Sequence, residues 1–260
     1  MEIPWLVAAG GALGIGVLLY LLRRSRSEAA RLRERLEAAS MNLQQLQTSF
    51  SRFAPEALIE RIIAGGLPSS GEKKEVTVLF ADLVGFTPLA ESIEPAVLVE
   101  ILNGYFERMS RAITEHRGRI STFIGDGILA LFGDLEPNPW QGNDAVHAAL
   151  AMRDELESYN RELEDKGLPG LAIGVGLHRG TGVAGLVGSE DKKEFTIVGR
   201  TVNVAARVQD LTRLHHVDII LTEDLQKTLD PRFVLRPLPP GELRGIADAM
   251  PIYAAERINE

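Results

Sequence analysis

Cysteine is absent from this sequence of 260 residues. Its absence excludes disulfide bonds, thiolate metal sites and a cysteine nucleophile. Positive charge is also scarce, because 28 Lys and Arg residues stand against 36 Asp and Glu residues, for a formal net charge of −8. Nucleic acids are bound by clustered Lys and Arg, so this deficit argues against nucleic acid as a partner. A single nucleotide, which needs only local positive charge and metal, stays possible.

The N-terminal segment carries an uncharged, largely apolar run at residues 3–22. A helix of this length is just long enough to cross a bilayer core, and the basic cluster at residues 23–26 predicts that the following side is cytoplasmic. A cleaved signal peptide is the alternative, but it needs a basic region before the apolar run, where Met1 and Glu2 stand. We therefore expect residues 1–26 to form a single-pass anchor in the lipid of the cell inner membrane, with the rest of the chain cytoplasmic.

Residues 27–54 carry a heptad pattern, typical of a coiled coil. Its apolar residues recur at alternating gaps of four and three: Leu32, Leu36, Ala39, Leu43, Leu46, Phe50 and Phe53. Such a stripe could equally pack on the protein's own core, but its place between an apolar span and a compact domain favours a short parallel two-helix coil. Residues 55–74 are predicted to form a short helix and a linker, with the main domain, 75–260, beginning near Glu75.

From Glu75 onward, apolar strands and amphipathic helices alternate. The predicted order is a strand at 76–81, a helix at 96–113, a hairpin of strands 120–124 and 128–132, a helix at 145–163, strands at 171–177 and 183–187, and a helix at 202–214. This order predicts an α+β sandwich with a ferredoxin-like βαββαβ core.

Two aspartates end neighbouring strands of this prediction. Asp82 follows the first strand, and Asp126 lies at the tip of the hairpin. Carboxylates that converge in this way suit hard cations such as Mg²⁺, and the turn around Gly85 leaves main-chain amides free for phosphate oxygens. Taken alone, however, two turn aspartates are more often turn formers than ligands.

A polar pair marks the last predicted helix. Asn203 and Arg207 are four residues apart, so they project from one face, with small alanines between them. A neutral amide one turn from a fixed cation suits a sugar and a phosphate. For a lone Asn and Arg, a solvated helix face is the better explanation.

Together, these motifs resemble the catalytic domain of class III adenylate and guanylate cyclases, in particular membrane-anchored bacterial adenylate cyclases that carry a base-reading Thr. The matching segments occur in the family's order, at residues 80–87, 123–127, 174–178, 198–207, 243–245 and 251–253. Several motifs in the right order form a far more specific signal than any one of them. The resemblance implies conversion of ATP to 3′,5′-cyclic AMP and pyrophosphate.

The resemblance also assigns roles to residues. Two Mg²⁺ or Mn²⁺ ions would be held at Asp82, Leu83 and Asp126, while Asn203 would orient the ribose and Arg207 would stabilise the phosphate in the transition state. The implied substrate-binding positions are Gly85, Phe86, Thr87, Thr122, Thr196 and Arg244. It further implies a head-to-tail homodimer with both active sites at the interface, the aspartates coming from one chain and the other groups from its partner.

Two base-reading positions bear on the substrate. Thr122 stands where many adenylate cyclases have Lys, and Thr196 stands where Asp is common but a subset of the family uses Thr. Neither position matches the Glu and Cys expected of guanylate cyclases, so ATP is favoured by default, and GTP or a pyrimidine triphosphate stays open. Thr181 also stands near a position where some relatives bind phosphate through Arg, and Arg179 is close but out of register.

Two other functions are alternatives to an active cyclase. One is a catalytically silent signalling module with a cyclase fold, which would have no need to keep the two aspartates together with Asn203 and Arg207. The other is a diguanylate cyclase, which finds no support because no Gly-Gly-Asp/Glu-Glu-Phe loop occurs at the hairpin.

Overall fold

The computed structural model describes residues 71–189, 193–241 and 250–259, together with Glu37, Ser40 and Met41. The chain divides into two compact units, Met1–Ala64 and Gly65–Glu260. The predicted anchor, almost all of the predicted coil, and Arg244 lie outside the described residues. None of the helices within the described ranges is both long and apolar enough to cross a membrane.

The second unit is a mixed α+β structure, and it confirms that part of the predicted fold class. In chain order, its described elements are β1 Glu72–Leu83, α1 Phe86–Ser92, α2 Pro95–Glu115, β2 Arg119–Ile124, β3 Gly127–Phe132, α3 Gln141–Asp165, β4 Ile173–Gly188, β5 Lys193–Val198, α4 Arg200–His215, β6 Ile219–Thr222, α5 Glu223–Gln226, β7 Phe233–Gly241 and β8 Met250–Ile258.

The strands form one sheet in the order β2-β3-β1-β4-β6-β8-β7, with β5 paired to the extension of β4. Strands β4 and β6 run parallel, and the other described pairs are antiparallel. The first four strands, with the helices between them, give the strand, helix, hairpin, helix, strand order that the sequence predicts. The sheet places the end of β1 beside the β2–β3 turn.

The predicted strands 171–177 and 183–187 are wrong as separate elements, because β4 is one strand of 16 residues. Its glycines suggest a break, but β4 pairs with the whole of β1, from Leu83 opposite Ile173 to Glu72 opposite Ala184. These ladder hydrogen bonds keep the glycine-rich segment extended. The same pairing starts β1 at Glu72, slightly before the predicted domain start near Glu75.

Glycines of β4 allow helix α4 to lie directly on the sheet. A Cβ atom at Gly176 would stand 2.3 Å from the main-chain nitrogen of Gln209 and 2.5 Å from the carbonyl oxygen of Ala205. Val175 and Leu177 alternate with these glycines and belong to the core on the other face of the sheet. Helix α4 therefore lies on the opposite face from the main hydrophobic core.

Helix α2 begins at an N-cap residue and has one buried face. The Glu94 carboxylate accepts hydrogen bonds from the main-chain nitrogens of Ala96 and Val97, and Pro95 occupies the first turn. One face of the helix enters the core, and Tyr105 on that face is completely buried.

Candidate active site

The structure brings the two predicted carboxylates together. Antiparallel pairing sets Ala81 opposite Ile128, so Asp82 at the end of β1 lies beside the hairpin turn that carries Asp126. The main-chain nitrogen of Leu83 donates a hydrogen bond to Oδ2 of Asp126 at 3.3 Å. Gly125 has φ +63°, a left-handed conformation that glycine adopts at little cost.

The environment of these carboxylates disfavours two negative charges. Burial raises the pKa of Asp82 to about 6, and the charge of Asp126 and a hydrogen bond to it act in the same direction. The charge of Arg213 and the main-chain hydrogen bond at Leu83 oppose this shift. A divalent cation between the carboxylates would relieve the same repulsion.

The residues present fit a metal held partly by the protein. No cluster of three or more His, Cys, Asp or Glu side chains occurs within the described residues. The residues that would hold a metal here are the two carboxylates, together with the main-chain oxygen of Leu83, which has no side-chain ligand atom. Mg²⁺ commonly binds to one or two carboxylates and completes its shell with water and substrate phosphates.

A buried hydroxyl lies near the two aspartates. The Tyr105 side chain is fully buried, and its hydroxyl has no hydrogen-bond partner among the described residues. Burial and the nearby charges of Asp82 and Asp126 raise its pKa, so it stays an O–H donor. A buried donor without a partner is costly, so the fold holds an unsatisfied O–H group close to the two carboxylates.

The turn after β1 contains three of the predicted substrate-binding positions. Gly85 has φ +70° and stands at the start of α1, followed by half-buried Phe86 and exposed Thr87. A Cβ atom at Gly85 would meet nothing within 4 Å, so the conformation and not the space favours glycine there. The main-chain nitrogen of Val84 donates to the carbonyl oxygen of Ala172 at 2.8 Å, which fastens the turn to the sheet.

Asn203 and Arg207 lie one turn apart on α4, as predicted. Asn203 is exposed and Arg207 is half-buried. Neither side chain makes a hydrogen bond or an ion pair with another described residue. Within one chain, therefore, the structure does not join this pair to the two aspartates; the α4 residue that reaches Asp82 is Arg213, with its Nη2 2.9 Å from Oδ2.

The two predicted base-reading positions do not contact each other through their hydroxyls. The Thr196 hydroxyl lies 2.9 Å from the hydroxyl of Ser121, and the Thr122 hydroxyl donates to the carbonyl oxygen of Phe123 at 3.3 Å. The β2–β3 register shifts between Ile120 and Thr122, so Ser121 is the extra residue of a β-bulge. Bulges redirect side chains, often next to active sites.

Thr181 and Arg179, which stand near a position where some relatives bind phosphate through Arg, have partners within the chain. The Thr181 carbonyl oxygen accepts a hydrogen bond from the Thr201 hydroxyl at 2.6 Å, and Arg179 forms an ion pair with Glu75 at 2.9 Å. Both residues line a cavity of about 290 Å³ next to buried His178.

Residues 69–256 match the family described as the adenylate and guanylate cyclase catalytic domain. The chain belongs to this family. Cyclases of this class use divalent metal ions such as Mg²⁺ or Mn²⁺, in keeping with the paired carboxylates.

Two curated relatives of this cyclase are adenylate cyclases. One, from Anabaena cylindrica, is 34% identical over 231 residues, which cover 84% of this chain and 45% of that protein. Adenylate cyclase 1 of Rhizobium meliloti (strain 1021) is 28% identical over 207 residues, which cover 79% of this chain and 31% of that protein. The cyclase chain thus spans less than half the length of either relative.

Solved structures include cyclases named for both purine bases. The guanylyl cyclase Cya2 matches with a TM-score of 0.67 at 31% identity, covering 74% of this chain and 96% of that chain. The adenylyl cyclase CyaB from P. aeruginosa matches with a TM-score of 0.68 at 26% identity, covering 73% and 97%.

Three residues of this cyclase site are not predicted from the sequence: Tyr105, Ser121 and Arg213. Tyr105 has the spacing of an ordinary core residue in α2, and nothing local marks the bulge at Ser121. Arg213 is separated from Asp82 by 131 residues, and no motif links them. Of the three, only Arg213 has a sequence feature that could indicate a role in the site. It is a basic residue in the last turn of the helix that carries Asn203 and Arg207.

Proposed function

We propose that this chain is an adenylate cyclase that converts ATP to 3′,5′-cyclic AMP and pyrophosphate with two divalent metal ions at a homodimer interface. The observation that carries the proposal is the meeting of Asp82 and Asp126 at the end of β1 and the β2–β3 turn. This is where the resemblance assigns the metals, and the donor set there suits Mg²⁺.

Each residue then has a chemical task. Bound metal would lower the pKa of the ribose 3′-hydroxyl and neutralise the leaving pyrophosphate. Asp82 and Asp126 hold the cations, and the main-chain nitrogen of Leu83 keeps the Asp126 carboxylate in place. Arg207 meets the charge that grows on the α-phosphoryl oxygens, and such differential stabilisation accelerates the step. Asn203 orients the ribose.

The lack of side-chain partners for the polar pair on α4 supports a shared site. Asn203 and Arg207 are oriented on one helix face without side-chain partners among the described residues. In a head-to-tail homodimer, they would meet the substrate held by the aspartates of the other chain. Each dimer then contains two sites, each built from both protomers.

Two purine nucleotides are candidate substrates. ATP is proposed because the curated relatives described above are adenylate cyclases. GTP is the second candidate, since the guanylyl cyclase Cya2 is 31% identical and neither Thr122 nor Thr196 carries a charge that would select adenine.

We extend the proposal to the N-terminal segment. Residues 3–22 would anchor the chain in the inner membrane and the coil at 27–54 would pair two chains, raising the effective concentration of the catalytic domains towards the millimolar scale. Diluting the full chain and a 71–260 fragment in parallel tests this, since activity per chain should fall with dilution only in the fragment. An equal response of both would contradict it.

The central experiment incubates the purified full chain with ATP, GTP, CTP or UTP and either Mg²⁺ or Mn²⁺, and identifies products by mass spectrometry. We expect cyclic AMP and pyrophosphate from ATP, and a loss of at least a hundredfold in Asp82→Asn, which keeps the shape of the side chain but removes its charge. Exposed Asp154→Asn is the matched control. Preferential turnover of GTP would establish the second candidate, and no cyclic product from any nucleotide would overturn the proposal.

A further inference from the structure

We infer that Arg213 is a positioning residue, which holds Asp82 in place while no metal is bound. Its guanidinium takes the place of a cation at Asp82 and Leu83, and it must withdraw before metal binds there. Arg213 thereby sets the metal concentration that the cyclase requires. The inference rests on the proposed metal-binding role of Asp82.

The Arg213 guanidinium contacts two oxygen atoms at the end of β1. Nη2 of Arg213 lies 2.9 Å from Oδ2 of Asp82 and 3.3 Å from the main-chain oxygen of Leu83. These are two of the three positions that the cyclase resemblance assigns to the metals. One guanidinium nitrogen thus reaches a carboxylate oxygen and a carbonyl oxygen that a Mg²⁺ ion would also use.

The contact and metal binding exclude each other. A divalent ion bound to the same two oxygens would stand within a few ångströms of the Arg213 guanidinium, and like charges at that range repel strongly where water is partly excluded. The Asp82 side chain is only 26% exposed, so the repulsion is poorly screened. Arg213 must therefore move when the cation arrives.

Arg213 is able to leave its position. Its side chain is 50% exposed and extends from the last turn of α4, so it can turn into solvent without disturbing the core. Because the guanidinium is half exposed, water solvates it as soon as it leaves Asp82, so a divalent cation can displace it. In the absence of metal, the same contact offsets the repulsion between Asp82 and Asp126 and keeps their turns together.

Two opposite effects are expected from Arg213→Gln. Without metal, the paired carboxylates lose their counter-charge, so the chain should unfold at a lower temperature. Metal, however, no longer competes with a guanidinium, so Mn²⁺ should bind about two- to fivefold more tightly, the range expected for removing a partly exposed ion pair. A residue with only a structural role would lower stability without tightening metal binding.

The test measures Mn²⁺ binding to the full chain by titration calorimetry without nucleotide, together with thermal unfolding in chelator. Arg213→Lys keeps a cation at the helix end and should lie between wild type and Arg213→Gln in both readouts. The matched control is Arg236→Gln, since Arg236 also forms a 2.9 Å ion pair, with Glu256, and its side chain is 51% exposed, close to that of Arg213. It should leave Mn²⁺ affinity unchanged.

Mn²⁺ binding in Arg213→Gln that equals or falls below wild type would overturn the inference, whatever the turnover of the enzyme. Asp82→Asn separates this failure from a failure of the proposed function. If that variant binds Mn²⁺ as tightly as wild type, the metal assignment itself is wrong and the role of Arg213 is lost with it.

Discussion

The hydroxyl oxygens of Ser121 and Thr196 lie 2.9 Å apart, joining β2 to β5. These strands are not neighbours in the sheet, because β2 pairs with β3 and β5 pairs with β4. Either hydroxyl can be the donor, so the pair can offer a hydrogen or a lone pair to a further group. If Thr196 contacts the base of the substrate, its hydrogen-bond partner in this protein is Ser121. Many adenylate cyclases instead have a Lys at the neighbouring position, which is Thr122 here.

Ser121→Ala should therefore change base selectivity. Loss of the partner frees the Thr196 hydroxyl, and one neutral hydrogen bond corresponds to about a two- to tenfold change in the ratio of kcat/KM for ATP to that for GTP. Thr114→Ala is the control, because that exposed hydroxyl bonds only to its own helix. An unchanged ratio in both Ser121→Ala and Thr196→Ala would show that this pair does not contact the base.

Tyr105→Phe removes a buried hydroxyl without a partner among the described residues, so it should stabilise the metal-free chain. An unsatisfied buried polar group costs about 1–3 kcal/mol, and the corresponding rise in Tm is roughly 2 °C or more for a domain of this size.

Tyr159→Phe is the matched control for this prediction. The Tyr159 hydroxyl is also buried but donates to the carbonyl oxygen of Ile101 at 3.0 Å, so its loss should lower Tm. Equal falls in the Tm of both variants would mean that the Tyr105 hydroxyl has a partner within the fold.

The pH dependence of stability should report on His178. Burial lowers the pKa of His178 to about 4, and its Nδ1 lies 2.9 Å from the Thr222 hydroxyl. The unfolded chain binds this proton near pH 6.5, so the contribution is complete above that pH and is lost as pH falls towards 4. The loss amounts to roughly 3 kcal/mol.

Denaturant unfolding at pH 7.5 and pH 4.5 checks this value. His178→Gln should show a smaller fall in the free energy of unfolding than wild type, while His216→Asn, at an exposed helix end, should follow wild type. Parallel pH profiles for wild type and His178→Gln would contradict the assignment.

Mixing two inactive variants tests the shared site. In Asp82→Asn with Arg207→Ala, half of the randomly formed dimers are mixed, and each mixed dimer has one site with both residues intact. Activity should recover to roughly a quarter of wild type. Subunit exchange is followed with two affinity tags, and exchange without recovery would place both residues in a site within one chain.

Local patterns in the chain were sufficient for much of the fold. Apolar periodicity and turn residues predicted β1, the β2–β3 hairpin and helices α2 to α4, because each of these signals lies within a few consecutive residues. The positions of Asp82 and Asp126 at strand ends followed in the same way. Pairing of β1 with β4 over its whole length could not be read locally, so one strand was predicted as two.

The assembled site depended on contacts between residues far apart in the chain. Ser121 meets Thr196 across 75 residues through a bulge, and Arg213 meets Asp82 across 131 residues. Such contacts require a sheet order, a strand register and a helix placement, none of which is encoded in the spacing of neighbouring residues. The amino-acid sequence thus specified the elements and the residue types available for catalysis, whereas the tertiary structure decided which hydroxyl faces Thr196 and which cation stands at Asp82.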